Sequence, residues 1–280
     1  MHNDLDKLDR EVANCVIFKH MAKEKLEELS DAIYMSAVRS NLKLEDVLGV
    51  LRNNKAFDEK FFSMTKGNVF DLVGESYRQF SERLFHKKAG GGTPNAAIGK
   101  AELLLLFMST KTSKPRKGDI LFCGRNIEIK TNGGKLGLGR GDDANKSAVE
   151  FCKEKGITLR MGASGVAAKQ QPIFDPTRED DRKMVGENLS GVIGAWWKGL
   201  CGANLSVEGW EGLRRAFLEE VAKKHIVSPE VELLVFALDG RFIFFKDAKC
   251  FVDYYDVDQS KFEYRAYQKN PFSIYLDVIA

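Results

Sequence analysis

The sequence predicts a mixed α/β domain preceded by an all-α N-terminal domain. Apolar residues recur at three- and four-residue spacing through the first 88 residues, and no proline occurs before Pro94, which favours helices there. Short strand-like runs then alternate with helical patterns, and two of the runs flank the turn-forming pair Asp239-Gly240. The 280 residues are enough for two domains, which we place at residues 1 to 88 and 93 to 280.

The N-terminal domain is predicted to contain at least three helices, over about 5–33, 44–51 and 69–85. Gly90-Gly91-Gly92 ends this pattern, because three successive glycines carry an ordering entropy that neither a helix nor a strand offsets. We expect a hinge there. The helical domain could recognise DNA, bind a partner protein or form a homodimer, and the sequence leaves these roles open.

The second domain begins with Thr93-Pro94, an N-cap followed by a first-turn proline, which predicts a helix to about Ser109. Asp119 to Cys123 and Ile127 to Lys130 resemble the two strands of a hairpin, and Gly133 to Gly141 is expected to form a loop. Beyond it, a loop-rich stretch extends to about 181. The predicted helices cover 143–155, 184–200 and 207–225, and the predicted strands cover 231–238, 241–246, 262–267 and 272–278.

Composition excludes several classes of protein. No apolar run approaches the roughly 18 residues of a membrane helix, and residues 1–10 do not resemble a secretory signal, so we expect a cytoplasmic protein without a membrane partner. Five scattered cysteines and four scattered histidines argue against a disulfide framework, a zinc site and a histidine-based hydrolase. A metal in this chain would need oxygen ligands.

Positive charge is concentrated in one segment. Residues 111 to 160 contain twelve Lys+Arg against six Asp+Glu, although the whole chain has a net charge of only +3. Such a surplus is typical of a surface that binds a polyanion such as DNA. A solvated basic loop is an equally good interpretation of the charge alone.

The strongest chemical pattern lies in the predicted hairpin. The two-residue period of a strand places Glu128 and Lys130 on one face and Ile127 and Ile129 on the other. Asp119 opens the preceding strand, so hairpin pairing is expected to bring it close to this acid and lysine. Two carboxylates and one ammonium would then share a small space.

Glu102 would add a third carboxylate. On a helix its neighbours Ile98, Leu105 and Leu106 make it project from the apolar face into the domain, where a buried carboxylate needs a partner. A cation shared with Asp119 and Glu128 would supply one, and all-oxygen ligation suits Mg²⁺ or Mn²⁺. A metal held in this way can polarise a phosphodiester and activate a bound water, and a nearby lysine can stabilise the charge that develops during hydrolysis.

This arrangement resembles the PD-(D/E)xK nuclease superfamily, which includes restriction, recombination and phage nucleases. The similarity consists of a helical Glu102, Gly118-Asp119, eight intervening residues and Glu128-Ile129-Lys130, with Gly118 in place of a frequent proline. It implies a restriction-endonuclease-like mixed sheet flanked by helices. It also implies that Asp119, Glu128 and the Ile129 carbonyl bind magnesium, that Glu102 assists, and that Lys130 serves the attacking water. The function expected is then that of a magnesium-dependent DNA endonuclease.

Other polar patterns are weaker. Gly137, Gly139 and Gly141 lack the spacing of a nucleotide-binding loop. We expect a flexible loop in which Lys135 and Arg140 lie near DNA phosphates, and a plain surface loop is an equally good interpretation. Glu179-Asp180-Asp181 is interpreted as a solvated helix cap. The alternative to a nuclease is a non-enzymatic DNA-binding or structural protein whose carboxylates form a buried salt-bridge cluster with Lys130.

Overall fold

A computed structural model describes residues 2–15, 23–52, 59–72, 79–80, 83, 112–113, 118–138, 142–164, 169–205, 208–237, 239–266 and 272–278. The chain divides into two compact units. Unit 1 comprises Met1–Asn132 and Pro229–Lys246, and unit 2 comprises Gly133–Ser228 and Asp247–Ile279. No helix among the described residues has the length and apolar character needed to cross a membrane.

Unit 1 combines three helices with a mixed sheet. The helices are α1 (His2–Asn14), α2 (Lys23–Arg39) and α3 (Leu44–Leu51), and short 3₁₀ turns lie at Glu59–Ser63 and Val69–Leu72. The strands are β1 (Lys66–Asn68), β2 (Thr112–Ser113), β3 (Ile120–Phe122), β4 (Arg125–Thr131), β8 (Glu232–Phe236) and β9 (Arg241–Phe245). Over the described residues they form one sheet in the order β1-β9-β8-β4-β3-β2, in which only β4 and β8 run parallel.

The β3–β4 hairpin is confirmed. Phe122 pairs with Arg125, so the loop contains only Cys123 and Gly124, and both have positive φ, at 48° and 82°. Two successive positive φ values match the right-handed twist of the flanking strands. The loop is thus shorter than predicted, because Arg125 and Asn126 already belong to β4.

Two apolar clusters stabilise unit 1. The first joins the faces of α1, α2 and α3, and its fully buried members include Leu8, Val12, Ile33, Val47 and Leu48. The second lies on one side of the sheet and consists of Phe61, Phe62, Val69, Ile120, Phe122, Ile127, Ile129, Leu234, Phe236, Phe242 and Phe244. The helical prediction for residues 1 to 88 is wrong at β1, which pairs with β9 of the sheet. The domain boundary between 88 and 93 and the helix over 93–109 lie outside the described residues.

Unit 2 contains helices and two small sheets. Its helices are α4 (Asp142–Glu154), α5 (Glu179–Val185), α6 (Leu189–Cys201), α7 (Gly209–Ala222) and α8 (Ala248–Tyr255), with a 3₁₀ turn at Gly186–Asn188 and a π-helical turn at Lys223–Val227 after α7. Its strands are β5 (Gly134–Gly137), β6 (Met161–Ser164), β7 (Lys169–Pro172), β10 (Phe262–Tyr264) and β11 (Phe272–Leu276). They form a sheet in the order β10-β11-β5 and the hairpin β6-β7.

Glycines allow α4 and α6 to pack closely. A Cβ on Gly199 would lie 2.4 Å from the Asp143 carbonyl oxygen, and a Cβ on Gly191 would lie 2.4 Å from the Phe151 ring. The helices predicted over 143–155 and 207–225 and the two terminal strands are confirmed apart from their ends, whereas the helix predicted over 184–200 is interrupted by the 3₁₀ turn at Gly186–Asn188. Two predictions of loop are wrong. Gly134–Gly137 forms β5 by pairing with β11, and the stretch before residue 181 contains β6 and β7.

Candidate functional site

The alternation of side chains along β4 is confirmed. Ile127 and Ile129 are 0% and 9% exposed and belong to the apolar cluster of the sheet, whereas Glu128 and Lys130 are half-buried on the opposite face. In the parallel register, Glu128 lies beside Leu233 and Lys130 beside Val235, and both of these neighbours are fully buried. The acid and the lysine therefore sit on a largely apolar surface rather than on a solvated strand face.

Asp119 reaches β4 through a local irregularity of β3. Its N–H donates to the Ile127 carbonyl at 2.8 Å, although the strand register pairs Ile127 with Ile120. Two successive residues thus oppose one, as in a β-bulge, which redirects side chains. The Asp119 carboxylate accepts the Ile129 N–H at 2.7 Å, in the place where a continued β3 would provide a backbone carbonyl.

Gly118 explains the departure from the proline that the resemblance leads one to expect. Its φ is +77°, a value that the ring of proline, fixed near −65°, does not allow. A Cβ at this position would also lie 2.9 Å from the Ile127 carbonyl oxygen. Glycine thus permits the close approach that places Asp119 beside β4.

Glu128 and Lys130 form an ion pair between the lysine Nζ and the Glu128 Oε1, with side chains 29% and 33% exposed. Burial is the main cause that raises the pKa of the Asp119 carboxyl above its ordinary value. The negative charge of Glu128 raises this pKa further, while the Ile129 N–H and the charge of Lys130 lower it. The two acids and the lysine thus influence one another electrostatically, as the sequence predicts.

The donor set fits a hard divalent cation. Asp119 and Glu128 offer carboxylate oxygens. The N–H and the carbonyl of one strand residue face the same neighbouring strand, so the Ile129 carbonyl points to the same edge of β4 as the Ile129 N–H that Asp119 accepts. Mg²⁺ is commonly held by one or two carboxylates together with water. Among the described residues, no group of three or more His, Cys, Asp or Glu side chains could hold a metal ion. Glu102 lies outside the described residues, so its part in the site stays a prediction.

The two predicted DNA contacts have different outcomes. Lys135 lies on β5 of unit 2, where its ammonium donates to Glu263 at 2.6 Å and lies 4.4 Å from the centre of the Tyr275 ring. Its place in a flexible loop is therefore wrong, whereas its contact with DNA stays a prediction. Arg140 lies outside the described residues.

Sequence reasoning missed a second group of interacting charges, in unit 2. Asp181 was interpreted as part of a solvated cap but is only 1% exposed, and both of its oxygens accept from Arg160 Nε, at 2.7 and 3.0 Å. Its neighbours Glu179 and Asp180 are exposed, in accordance with the prediction. Arg160 lies 21 residues earlier, before β6, so no local spacing in the sequence could indicate this pair.

Comparison of the chain with protein-family models, curated proteins and solved structures finds no match.

Proposed function

We propose that this chain is a metal-dependent DNA nuclease that hydrolyses phosphodiester bonds and cuts within a strand. The observation that carries the proposal is the meeting of Asp119, Glu128 and Lys130 at the β3–β4 hairpin, on a face whose other described strand neighbours are apolar. Burial makes the Asp119 carboxylate costly without a compensating cation, as its raised pKa indicates. Groups with such perturbed pKa values are more common at functional sites than elsewhere.

Each residue has a defined part in this mechanism. Asp119, Glu128 and the carbonyl of Ile129 would hold Mg²⁺ or Mn²⁺, which supplies charge neutralisation at the phosphate and a more acidic bound water. Lys130 would leave its pairing with Glu128 and direct its ammonium to the attacking water or to the charge that develops on the phosphate. The Ile129 N–H keeps the Asp119 carboxylate in position.

DNA is the substrate that best fits the distribution of charge. The surplus of positive charge lies in residues 111 to 160, the same segment that contains Asp119, Glu128 and Lys130. Lysine and arginine that contact phosphates supply most of the affinity of such proteins for DNA, largely irrespective of base sequence. The charge of the segment thus favours a polyanion such as DNA over a neutral or cationic substrate.

A structural cluster is the competing interpretation, and two contacts favour it. Asp119 caps a backbone N–H that β3 does not reach, and Lys130 already neutralises Glu128. In that case the three residues would stabilise the hairpin and need no metal. Asp119→Asn separates the two interpretations, because an amide oxygen still accepts the Ile129 N–H but is a much poorer ligand for Mg²⁺.

Cleavage of a supercoiled plasmid with and without Mg²⁺ tests the proposal, since a closed circle is cut only by an endonuclease. Wild type is expected to nick or linearise the plasmid only with the metal, and Asp119→Asn and Glu128→Gln are expected to lose cleavage while staying folded in metal-free buffer. Asp119→Asn is expected to melt there at or above the wild-type temperature, because the amide removes the charge whose burial raises the Asp119 pKa. Calorimetric titration with Mn²⁺ provides a second measurement. Undiminished cleavage by either variant would overturn the assignment of these carboxylates.

A further inference from the structure

The edge of one sheet in unit 2 carries an unusual group of basic side chains. β5 is the last strand in the order β10-β11-β5, so its outer edge has no strand partner among the described residues. At this edge the carbonyl oxygen of Gly137 receives two basic side chains. Lys224 Nζ donates to it at 3.0 Å, and His225 Nε2 lies 3.2 Å from it. Both belong to the π-helical turn after α7.

A carbonyl oxygen satisfies a hydrogen bond but does not neutralise a charge. Lys224 is exposed, and within the described part of the chain no acidic side chain forms an ion pair with it. An ammonium has three donor protons, of which the Gly137 carbonyl takes one. The remaining protons of Lys224 are thus available to an anion in solution.

A second pair of basic side chains lies across the same sheet. Lys135 and Arg265 both donate to Glu263, at 2.6 and 2.8 Å, so one carboxylate balances two positive charges. The hydroxyl of Tyr275 donates to the same carboxylate at 3.1 Å and fixes its orientation. This network therefore leaves one unit of positive charge uncompensated.

The alternation of β5 separates these cations from the core. Leu136, Ile274 and Leu276 are buried on one face of the sheet, while Lys135 and Gly137 belong to the other. The Lys135 ammonium reaches over Tyr275 to Glu263 on β10, which is two strands away from β5, and neighbouring strands lie about 4.8 Å apart. Duplex DNA carries one phosphate for roughly every 3.4 Å of axis in each strand, so Lys135 and Lys224 can contact different phosphates of one backbone.

We propose that Lys135, Lys224, His225 and Arg265, here called the basic face, bind the phosphate backbone of DNA. The proposal rests on the proposed function, because that function supplies DNA as the ligand. Phosphate is the group that complements a surface with several lysine and arginine donors and too few acids. The alternative is that the cations only cover the exposed edge of β5 against pairing with other chains, a role for which lysine is well suited.

Fluorescence anisotropy with a labelled duplex of about 20 base pairs, in EDTA and between about 50 and 200 mM salt, distinguishes these roles. The test variant is Lys135→Gln/Lys224→Gln. Lys183→Gln/Lys249→Gln is the control, because it removes the same charge from two exposed lysines of unit 2 that pair with Glu179 and Asp253. Melting temperatures of all proteins, and of the single variants, confirm that the fold is retained.

Lys135→Gln/Lys224→Gln is expected to bind DNA roughly tenfold more weakly at the lower salt concentration. The slope of log affinity against log salt concentration is expected to be less steep by about 0.9 for each phosphate that the variant no longer neutralises. Lys135→Arg/Lys224→Arg is expected to retain the affinity. Wild-type affinity in the glutamine variant, equal weakening in the control, or no binding by wild type would overturn the proposal.

Cleavage is measured separately on the same proteins with Mg²⁺, so the two proposals can fail independently. A chain that binds DNA through the basic face but does not cut would refute the nuclease and leave the basic face. Cleavage together with normal binding by the glutamine variant would refute the basic face alone.

Discussion

Unit 1 and unit 2 each bring two acids together beside a basic residue, and they satisfy the acids differently. In unit 2, Asp181 accepts from Arg160 Nε through both oxygens and from the Asp175 N–H at 2.8 Å. Asp175 in turn accepts the N–H and the hydroxyl of Thr177, at 2.9 and 2.6 Å. The protein itself thus supplies donors to both carboxylates.

In unit 1, the Asp119 carboxylate accepts the Ile129 N–H on its Oδ2. Among the described residues no donor faces its Oδ1, and Glu128 has only the ammonium of Lys130. Burial raises the pKa of both Asp119 and Asp175, so burial does not distinguish the two units. Within the described part of the chain, Asp119 and Glu128 have one donor each, whereas Asp175 and Asp181 have two each, so the difference lies in the number of donors that the protein supplies. Asp119 and Glu128 therefore keep more oxygen lone pairs for a cation.

Lys130→Ala shows whether the acids of unit 1 serve cleavage or stability. The variant is expected to lose about 100- to 1,000-fold in single-turnover cleavage, because an electrostatic contact to the transition state is removed. Its affinity for Mn²⁺ is expected to be retained or to rise, since Glu128 no longer pairs with the ammonium. Quench-flow cleavage at saturating DNA and calorimetry measure the two quantities.

Lys66→Ala, on the exposed edge strand β1 of the same sheet, is the control and is expected to cut at the wild-type rate. A structural lysine would give the opposite pattern. In that case Lys130→Ala would melt at a lower temperature and cut at the normal rate when folded, and unit 1 would resemble unit 2.

Asp181→Ala is expected to act on stability instead. It leaves Arg160 and the Asp175 N–H without their acceptor in a site where Asp181 is 1% exposed, and breaking such a buried pair costs about 2 to 4 kcal/mol. Urea unfolding measures this loss in the free energy of unfolding.

The matched control is Glu179→Ala, in the same helix α5, where the carboxylate is exposed and pairs with Lys183. Its free energy of unfolding is expected to stay close to that of wild type. An equal loss of unfolding free energy in Asp181→Ala and Glu179→Ala would mean that the buried contacts of Asp181 add nothing to stability, and that Asp181 is not the structural acid with which Asp119 is compared.

These two sites also explain what the sequence could and could not predict. The period of β4 and the short hairpin are local properties, so the grouping of Asp119, Glu128 and Lys130 followed from spacing alone. The bulge that directs Asp119 to the Ile129 N–H depends on the positive φ of Gly118, which a glycine permits but does not require.

Strands that pair with distant segments of the chain could not be predicted from local sequence patterns. β5 looked like a loop because its glycines have low strand propensity, and its partner β11 lies more than 130 residues later. Likewise, β1 is a three-residue strand that depends on β9 for its hydrogen bonds, and nothing in Lys66-Gly67-Asn68 indicates this partner. Pairing across such separations depends on tertiary structure.

Asp175 is expected to make the stability of unit 2 depend weakly on pH. Burial, followed by the charge of Asp181, raises the pKa of this carboxyl above its ordinary 3.8, while the Thr177 bonds and Arg160 oppose the rise. In the window between 3.8 and the raised pKa, the folded protein binds more protons than the unfolded chain, so stability falls as the pH rises through it.

Asp175→Asn keeps an oxygen that accepts both Thr177 bonds and removes the charge. Relative to wild type, the variant should therefore gain stability as the pH rises from below 3.8 towards neutrality, and urea unfolding at several pH values measures this difference. Mg²⁺ should leave the difference unchanged, because the donors of unit 2 are protein groups. The difference in unfolding free energy between wild type and Asp119→Asn should change when Mg²⁺ is added, because Mg²⁺ binds and stabilises only the protein that has the Asp119 carboxylate. If Mg²⁺ has the same effect on both pairs of proteins, the carboxylate of Asp119 does not bind the cation, and the acids of both units are structural.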